Sequence, residues 1–357
     1  LPALAENVGQ DVAVVGGLFS AFSLGTVAVQ LAAPALGARF GQRALLVVGA
    51  LLLGLGLLGE SLSTALWALL LAALLGGLGF GCVLAAGVLL VTRLFVARGA
   101  AALNLVNLFF GVGSVAGPLV AGLAQERAGR PELALLLAAL LLAVSAPAIG
   151  WAAETPGETE RGEGAAPVPW GLVALLGVLL LIYSGTEIGL GGWSALYLET
   201  SAGVAPAEAA LAVAGFWLAL TAGRALGAVL GLRVGPRVLL AGFLGLMLAA
   251  AGLLAASVGN AALSVVAIAL LGMACGPIFP TTMALVASVS RGRGGAASLA
   301  LGVGNLGPGT IPPLLGVVLS EGGPQAGSWL VLGAAGLLLG LLGVVALLYR
   351  RAAVAPA

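Results

Sequence analysis

Eleven mostly apolar stretches follow one another along this chain with short polar breaks between them: 12–36, 44–59, 65–92, 100–124, 132–152, 169–198, 207–231, 237–256, 261–288, 295–319 and 327–349. A helix crosses a bilayer with roughly 20 apolar residues. Hydrocarbon offers no partner to backbone N–H and C=O groups outside a helix or a closed barrel. The stretches therefore predict an all-α polytopic membrane protein whose short loops make neighbouring spans antiparallel. Composition agrees, since only 8% of the 357 residues are charged and 61% are apolar. A soluble domain carries about 25% charged residues, so a soluble enzyme, a nucleic-acid binder and a disordered scaffold are all excluded. All fourteen cations are Arg, which removes histidine and lysine chemistry. Cys82 and Cys275 lie in apolar runs without metal-ligand spacing and read as packing residues. No P-loop occurs, and no metal, nucleotide or organic cofactor is expected.

The placement of charge predicts orientation. Eleven arginines fall in alternate loops or the tail: Arg39, Arg43, Arg93, Arg98, Arg161, Arg233, Arg237, Arg291, Arg293, Arg350 and Arg351. The opposite loops hold only Arg127 and Arg130 among acids such as Glu60, Glu126, Glu132, Glu199, Glu208 and Glu321. Cytoplasmic loops collect Arg, so the linker and C-terminus are expected in the cytoplasm, in a plasma or inner membrane. Residues 153–168, rich in Glu, Gly and Pro, read as a linker between an N-terminal half-bundle at 1–152 and a C-terminal one at 169–349. Residues 350–357 form a tail. Residue 1 falls outside by the same alternation, and Leu1 to Glu6 resemble the outer end of a span whose body precedes this sequence. Twelve helices, with the first one missing, are thus expected, in a monomer.

The two halves echo each other. Residues 77–118 overlay 272–313 at an offset of 195, pairing Gly77 with Gly272, Gly81 with Gly276 and Pro118 with Pro313. Gly17 and Gly25 echo Gly215 and Gly223 at 198, and Gly41-x-Arg43 echoes Gly235-x-Arg237 at 194. Six helices repeated in parallel is the pattern of the major facilitator fold. Gly41-Gln42-Arg43 and Gly235-Pro236-Arg237 resemble the ends of that family's short cytoplasmic motif, although its usual Asp is not found near Gly37. Three further stretches resemble the fucose-permease-like branch of sugar:proton symporters. They are Ala102-Leu103-Asn104 through Gly113 with Gly117-Pro118, Gly185-Thr186-Glu187 through Trp193 with Tyr197, and Pro277-Ile278-Phe279-Pro280-Thr281. This resemblance implies two six-helix halves and alternating access. It would also imply a carboxylate in 65–92, where this chain has none.

Few residues inside the spans can carry function. Glu187 lies in the middle of 169–198. A carboxylate there must face a cavity, find a partner or take up a proton, so it is the candidate for proton coupling, or else a hydrogen-bonded brace between helices. Asn104 and Asn107 share one helix face. With Gln30 and Asn305 they offer amide donors and acceptors that match vicinal hydroxyls; the alternative is bridging between helices. Trp193 and Trp217 can stack on a sugar, or Trp193 can belong to an interfacial belt, and Tyr183 is a further candidate contact. The glycines 185, 189, 191 and 192 permit either bending at a ligand or close packing. Arg224 either snorkels to the cytoplasm or pairs with Glu187, about 6 Å away in depth.

Together these readings predict a transporter, not an enzyme, that moves a small polar solute, most simply a sugar, with protons as co-substrate and lipid as its only surroundings. The alternative is a drug:proton antiporter, because Gly113-x-x-x-Gly117-Pro118-x-x-Ala121-Gly122 approximates a motif of drug exporters. Its leading Gly is replaced by Asn104. Few aromatics (5%) and three Met speak against a greasy multidrug pocket.

Overall fold

In a computed structural model the described residues are 1–94, 99–151, 168–290 and 294–354. They are helical, and no strand occurs among them. The chain divides into two compact units, Leu1–Glu160 and Arg161–Ala357. The expected linker at 153–168 lies, except for Val168, outside the described residues.

The first unit contains α1 (Pro2–Val8), α2 (Val12–Val15), α3 (Gly17–Phe40), α4 (Gln42–Leu62), α5 (Leu66–Leu94), α6 (Gly99–Ala128) and α7 (Leu133–Trp151). The second contains α8 (Trp170–Ala202), α9 (Pro206–Gly231), α10 (Pro236–Ala256), α11 (Ala261–Cys275), α12 (Ile278–Ser290), α13 (Gly294–Gly304) and α14 (Gly307–Val354). Helix occupies every one of the eleven apolar stretches. Eight helical segments among the described residues are long and apolar enough to cross a membrane, and the last of them, Leu299–Tyr349, covers most of 295–319 and all of 327–349. The end of 295–319, from Gly307 on, and the whole of 327–349 are the arms of α14, which meet at Gly323 with φ 71°. That left-handed backbone costs glycine nothing, and Pro324 follows with no N–H to continue the ladder.

Two stretches, 261–288 and 295–319, are broken by chemistry legible in the chain. Pro277 has no N–H, so α11 ends at Cys275 and α12 begins at Ile278. Pro308 likewise cannot donate to Gly304, four residues earlier, and α13 ends there. At the chain start, α1 ends on Gly9, whose φ is 63°. Its Ala5 and Val8 pack with Val15 and Leu69.

Bare glycine backbone lets α3 and α5, and α9 and α11, approach closely. A Cβ on Gly77 of α5 would overlap the Phe22 carbonyl of α3, and one on Gly81 would lie 2.8 Å from the Thr26 carbonyl. The second unit repeats this seam: a Cβ on Gly272 of α11 would overlap the Phe216 carbonyl of α9, and one on Gly276 the Leu220 carbonyl. Phe22 therefore corresponds to Phe216 and Thr26 to Leu220, an offset of 194. Gly41 and Gly235, also 194 apart, are the N-caps of α4 and α10. The echo of Gly25 in Gly223 is thus one helical turn out of register. A glycine-rich helix matches itself at multiples of its own period, and only the contacts choose among them. Gly223 has its own place instead, with its Cα against the Met273 carbonyl, whose usual donor four residues on is the missing N–H of Pro277.

Candidate functional site

Helix α8 runs 33 residues, and Glu187 lies roughly 25 Å from either end at 1.5 Å per residue. Along its length Tyr183, Thr186, Glu187 and Ser194 are all buried. Thr186 and Ser194 return their hydroxyls to their own helix, to the Ile182 carbonyl at 2.7 Å and the Leu190 carbonyl at 2.5 Å. Tyr183 and Ser184 reach outward. The Tyr183 hydroxyl donates to the Cys275 carbonyl at 2.9 Å, at the end of α11. The Ser184 hydroxyl donates to the Gly304 carbonyl at 2.7 Å, at the end of α13. Two consecutive side chains of one unbroken helix thus satisfy the open ends of two broken ones. A buried carbonyl without a donor costs about 1–3 kcal/mol, so these bonds determine where the breaks are tolerated.

Glu187 follows one turn after Tyr183, and it is 8% exposed. Arg224 of α9 brings Nη2 to 3.9 Å from Glu187 Oε1. That is an ion pair but too long for a hydrogen bond. The Arg224 side chain remains 29% exposed. The Tyr183 hydroxyl, one turn back on α8, and the Cys275 thiol of α11 also interact with the Glu187 carboxylate. Three helices therefore converge on one carboxylate, one guanidinium, one phenol and one thiol.

Tyr183, Glu187 and Arg224, singled out separately in the chain, form this cluster. Trp193 is 1% exposed, and its indole N–H donates to the Pro312 carbonyl at 2.8 Å. Its ring occupies the space over Gly316 that a Cβ would fill. In this conformation Trp193 offers no open face for stacking, and Tyr183, fully buried, offers no free hydroxyl proton. Trp217 is half-buried and rests on Gly191 of α8, where a Cβ would lie 2.5 Å from its Cζ2. It meets Phe216 edge-on, with ring centroids 5.2 Å apart. Asn305 stands at the break between α13 and α14, next to the carbonyl held by Ser184, and is half-buried. Gln30 belongs to α3 of the first unit and is also half-buried. Asn104 and Asn107 lie on α6, with side chains outside the described ones. Ser184 was missed in the chain. Its signal was indirect: Pro308 leaves Gly304 without a donor, but nothing local names the hydroxyl that supplies one.

Compared with known proteins, residues 1–200 and 175–356 match the sequence model of the Major Facilitator Superfamily. No curated protein matches the chain in sequence. Among solved structures, a point variant of the nucleoside transporter NupG is similar at a TM-score of 0.77 and 13% identity, covering 96% of this chain and 93% of that one. FucP in the outward conformation is similar at a TM-score of 0.64 and 19% identity, over 97% and 92% of the two chains. A point variant of the E. coli fucose:proton symporter FucP gives 0.61 and 19%, over 96% and 94%. These likenesses concern the fold, while the sequence match extends across both units. The chain belongs to the major facilitator superfamily and is a multi-pass membrane transporter.

Proposed function

We propose that this transporter moves a small polar solute, a sugar, by alternating access and in symport with protons. The observation that carries the reading is the Glu187–Arg224 pair, a titratable carboxylate and a fixed cation held together in apolar helices. Charges in such a place mark proton or substrate pathways. The solved relatives add support, because a nucleoside transporter and a fucose:proton symporter both handle solutes that contain a sugar ring. Glu187 gains and loses the proton. Asn104, Asn107, Gln30 and Asn305 read hydroxyls, and Trp217 supplies an aromatic face. The half-bundles are 1–152 and 169–349, and the linker and C-terminus lie in the cytoplasm, on the arginine-rich side.

Counterflow in proteoliposomes tests the reading. Preloaded monosaccharide should exchange with external labelled monosaccharide, and an inside-alkaline pH gradient should drive its accumulation. Expulsion of a lipophilic cation, with no exchange of any sugar, would overturn it in favour of the drug antiporter.

A further inference from the structure

Arg224 presents a charge problem that a neutral cargo does not solve. A guanidinium stays protonated at any physiological pH, and a charge held among apolar helices needs a partner. Among the described residues, Glu187 is the acid that pairs with Arg224. The other groups facing that carboxylate are Tyr183 from α8 and the Cys275 thiol from α11. A phenol and a thiol are much weaker acids than a carboxylic acid, so neither replaces Glu187 as counter-ion. When Glu187 takes up a proton, the cluster changes from net zero to one positive charge.

The geometry of the pair is also unfinished. At 3.9 Å the guanidinium and carboxylate attract without a hydrogen bond, and the planar fork of donors on Arg224 is not used by Glu187. An Arg fork binds a carboxylate through two parallel N–H···O bonds, which are stronger and more directional than a loose ion pair. The 29% exposure of the side chain leaves that fork reachable.

We infer that the cargo is an acidic sugar, a uronate or aldonate, whose carboxylate binds Arg224 while Glu187 holds the proton. This rests on the proton-coupled sugar reading and narrows its substrate class. One proton and one carboxylate enter together, and the cluster stays neutral at both stages of the cycle. The proton on Glu187 Oε comes from the side the solute enters and departs to the side it leaves. Deprotonated Glu187 then reclaims Arg224 and displaces the solute carboxylate. A neutral sugar would leave the guanidinium uncompensated at every proton-loaded step.

The test compares matched pairs, D-galactose with D-galacturonate and D-glucose with D-gluconate, in counterflow with the purified full chain in proteoliposomes. The acids should exchange and the neutral sugars should not. Uptake of the acid should follow a pH gradient and ignore a potassium-diffusion potential. Arg224 is 29% exposed, so removing its fork costs less than at a fully buried charge pair, and Arg224→Gln should lower galacturonate affinity roughly 10-fold. Arg224→Lys should restore part of it. Because Arg224→Gln strands Glu187 and can unfold the protein, the Glu187→Gln/Arg224→Gln double variant, which removes both charges, is measured alongside for binding by thermal shift with galacturonate. It should show no shift. Exchange of galactose with exclusion of galacturonate overturns the acidic-cargo inference and leaves the sugar carrier standing. A galacturonate shift that survives in the double variant also overturns it. If no sugar exchanges, neutral or acidic, the underlying reading falls and this inference with it.

Discussion

At the scale of single residues, α8 carries hydroxyls of two kinds. Ser194 bonds a carbonyl of its own helix that already has an N–H donor, so Ser194→Ala should change stability by less than about 0.5 kcal/mol. Ser184 serves Gly304, whose backbone donor is removed by Pro308. Ser184→Ala should therefore cost about 1–3 kcal/mol, read as a lowered midpoint of thermal unfolding in detergent. Equal effects of the two variants would refute the capping role. Glu187 makes a different prediction, about function. Glu187→Gln should retain solute exchange, at a reduced rate, and lose accumulation driven by a pH gradient. Undiminished accumulation would show that the proton travels elsewhere. Glu187 was legible in the chain as an acid within an apolar run. Its pairing with Arg224 was one of two open alternatives, because snorkelling and pairing demand the same sequence.

At the scale of helices, the seams depend on missing side chains. Small residues let backbones approach in membranes, where lipid is as apolar as the helices and close packing drives association. Gly77→Ala and Gly272→Ala each drive a methyl into a carbonyl of the neighbouring helix, at Phe22 and Phe216. Overpacking of this kind costs about 1–3 kcal/mol, and both variants should unfold at lower temperature. Gly242 of α10 has nothing within 4 Å of its would-be Cβ. Gly242→Ala should be neutral or stabilising by up to about 1 kcal/mol, the difference in helix propensity. Similar losses at all three sites would mean that the seam is not what glycine serves. The helices themselves were legible because an apolar run in a bilayer has little alternative to helix. Their breaks at Pro277 and Pro308 follow from the missing N–H. What pairs with the open carbonyls was not legible, since Tyr183 and Cys275 lie 92 residues apart and Ser184 and Gly304 lie 120 apart.

For the whole molecule, the contacts Phe22–Gly77 and Phe216–Gly272 show one seam built twice, as expected of a chain matched by a major facilitator model across both units. Orientation in the membrane is a proposal from the arginines, and it yields a labelling prediction. Both native cysteines are buried, so a membrane-impermeant maleimide should report introduced ones. Val234→Cys, between α9 and α10, should label only from the cytoplasmic side. Ala128→Cys, at the end of α6, should label only from the opposite side. Reversed labelling would invert the topology.

The chain by itself determined the solvent, the secondary structure and the repeat. These depend on quantities that accumulate locally: apolar run length, charge placement and the positions of proline. The tertiary structure decided the register of the repeat, because glycine-rich helices fit one another at several turns until backbone contacts select one. It also decided what the buried polar groups do. A hydroxyl, carboxylate or guanidinium in an apolar helix must find a partner, but the identity of that partner depends on which helices touch and at what depth. Residues 187 and 224 acquire a joint meaning only where α8 and α9 bring their charges within 3.9 Å.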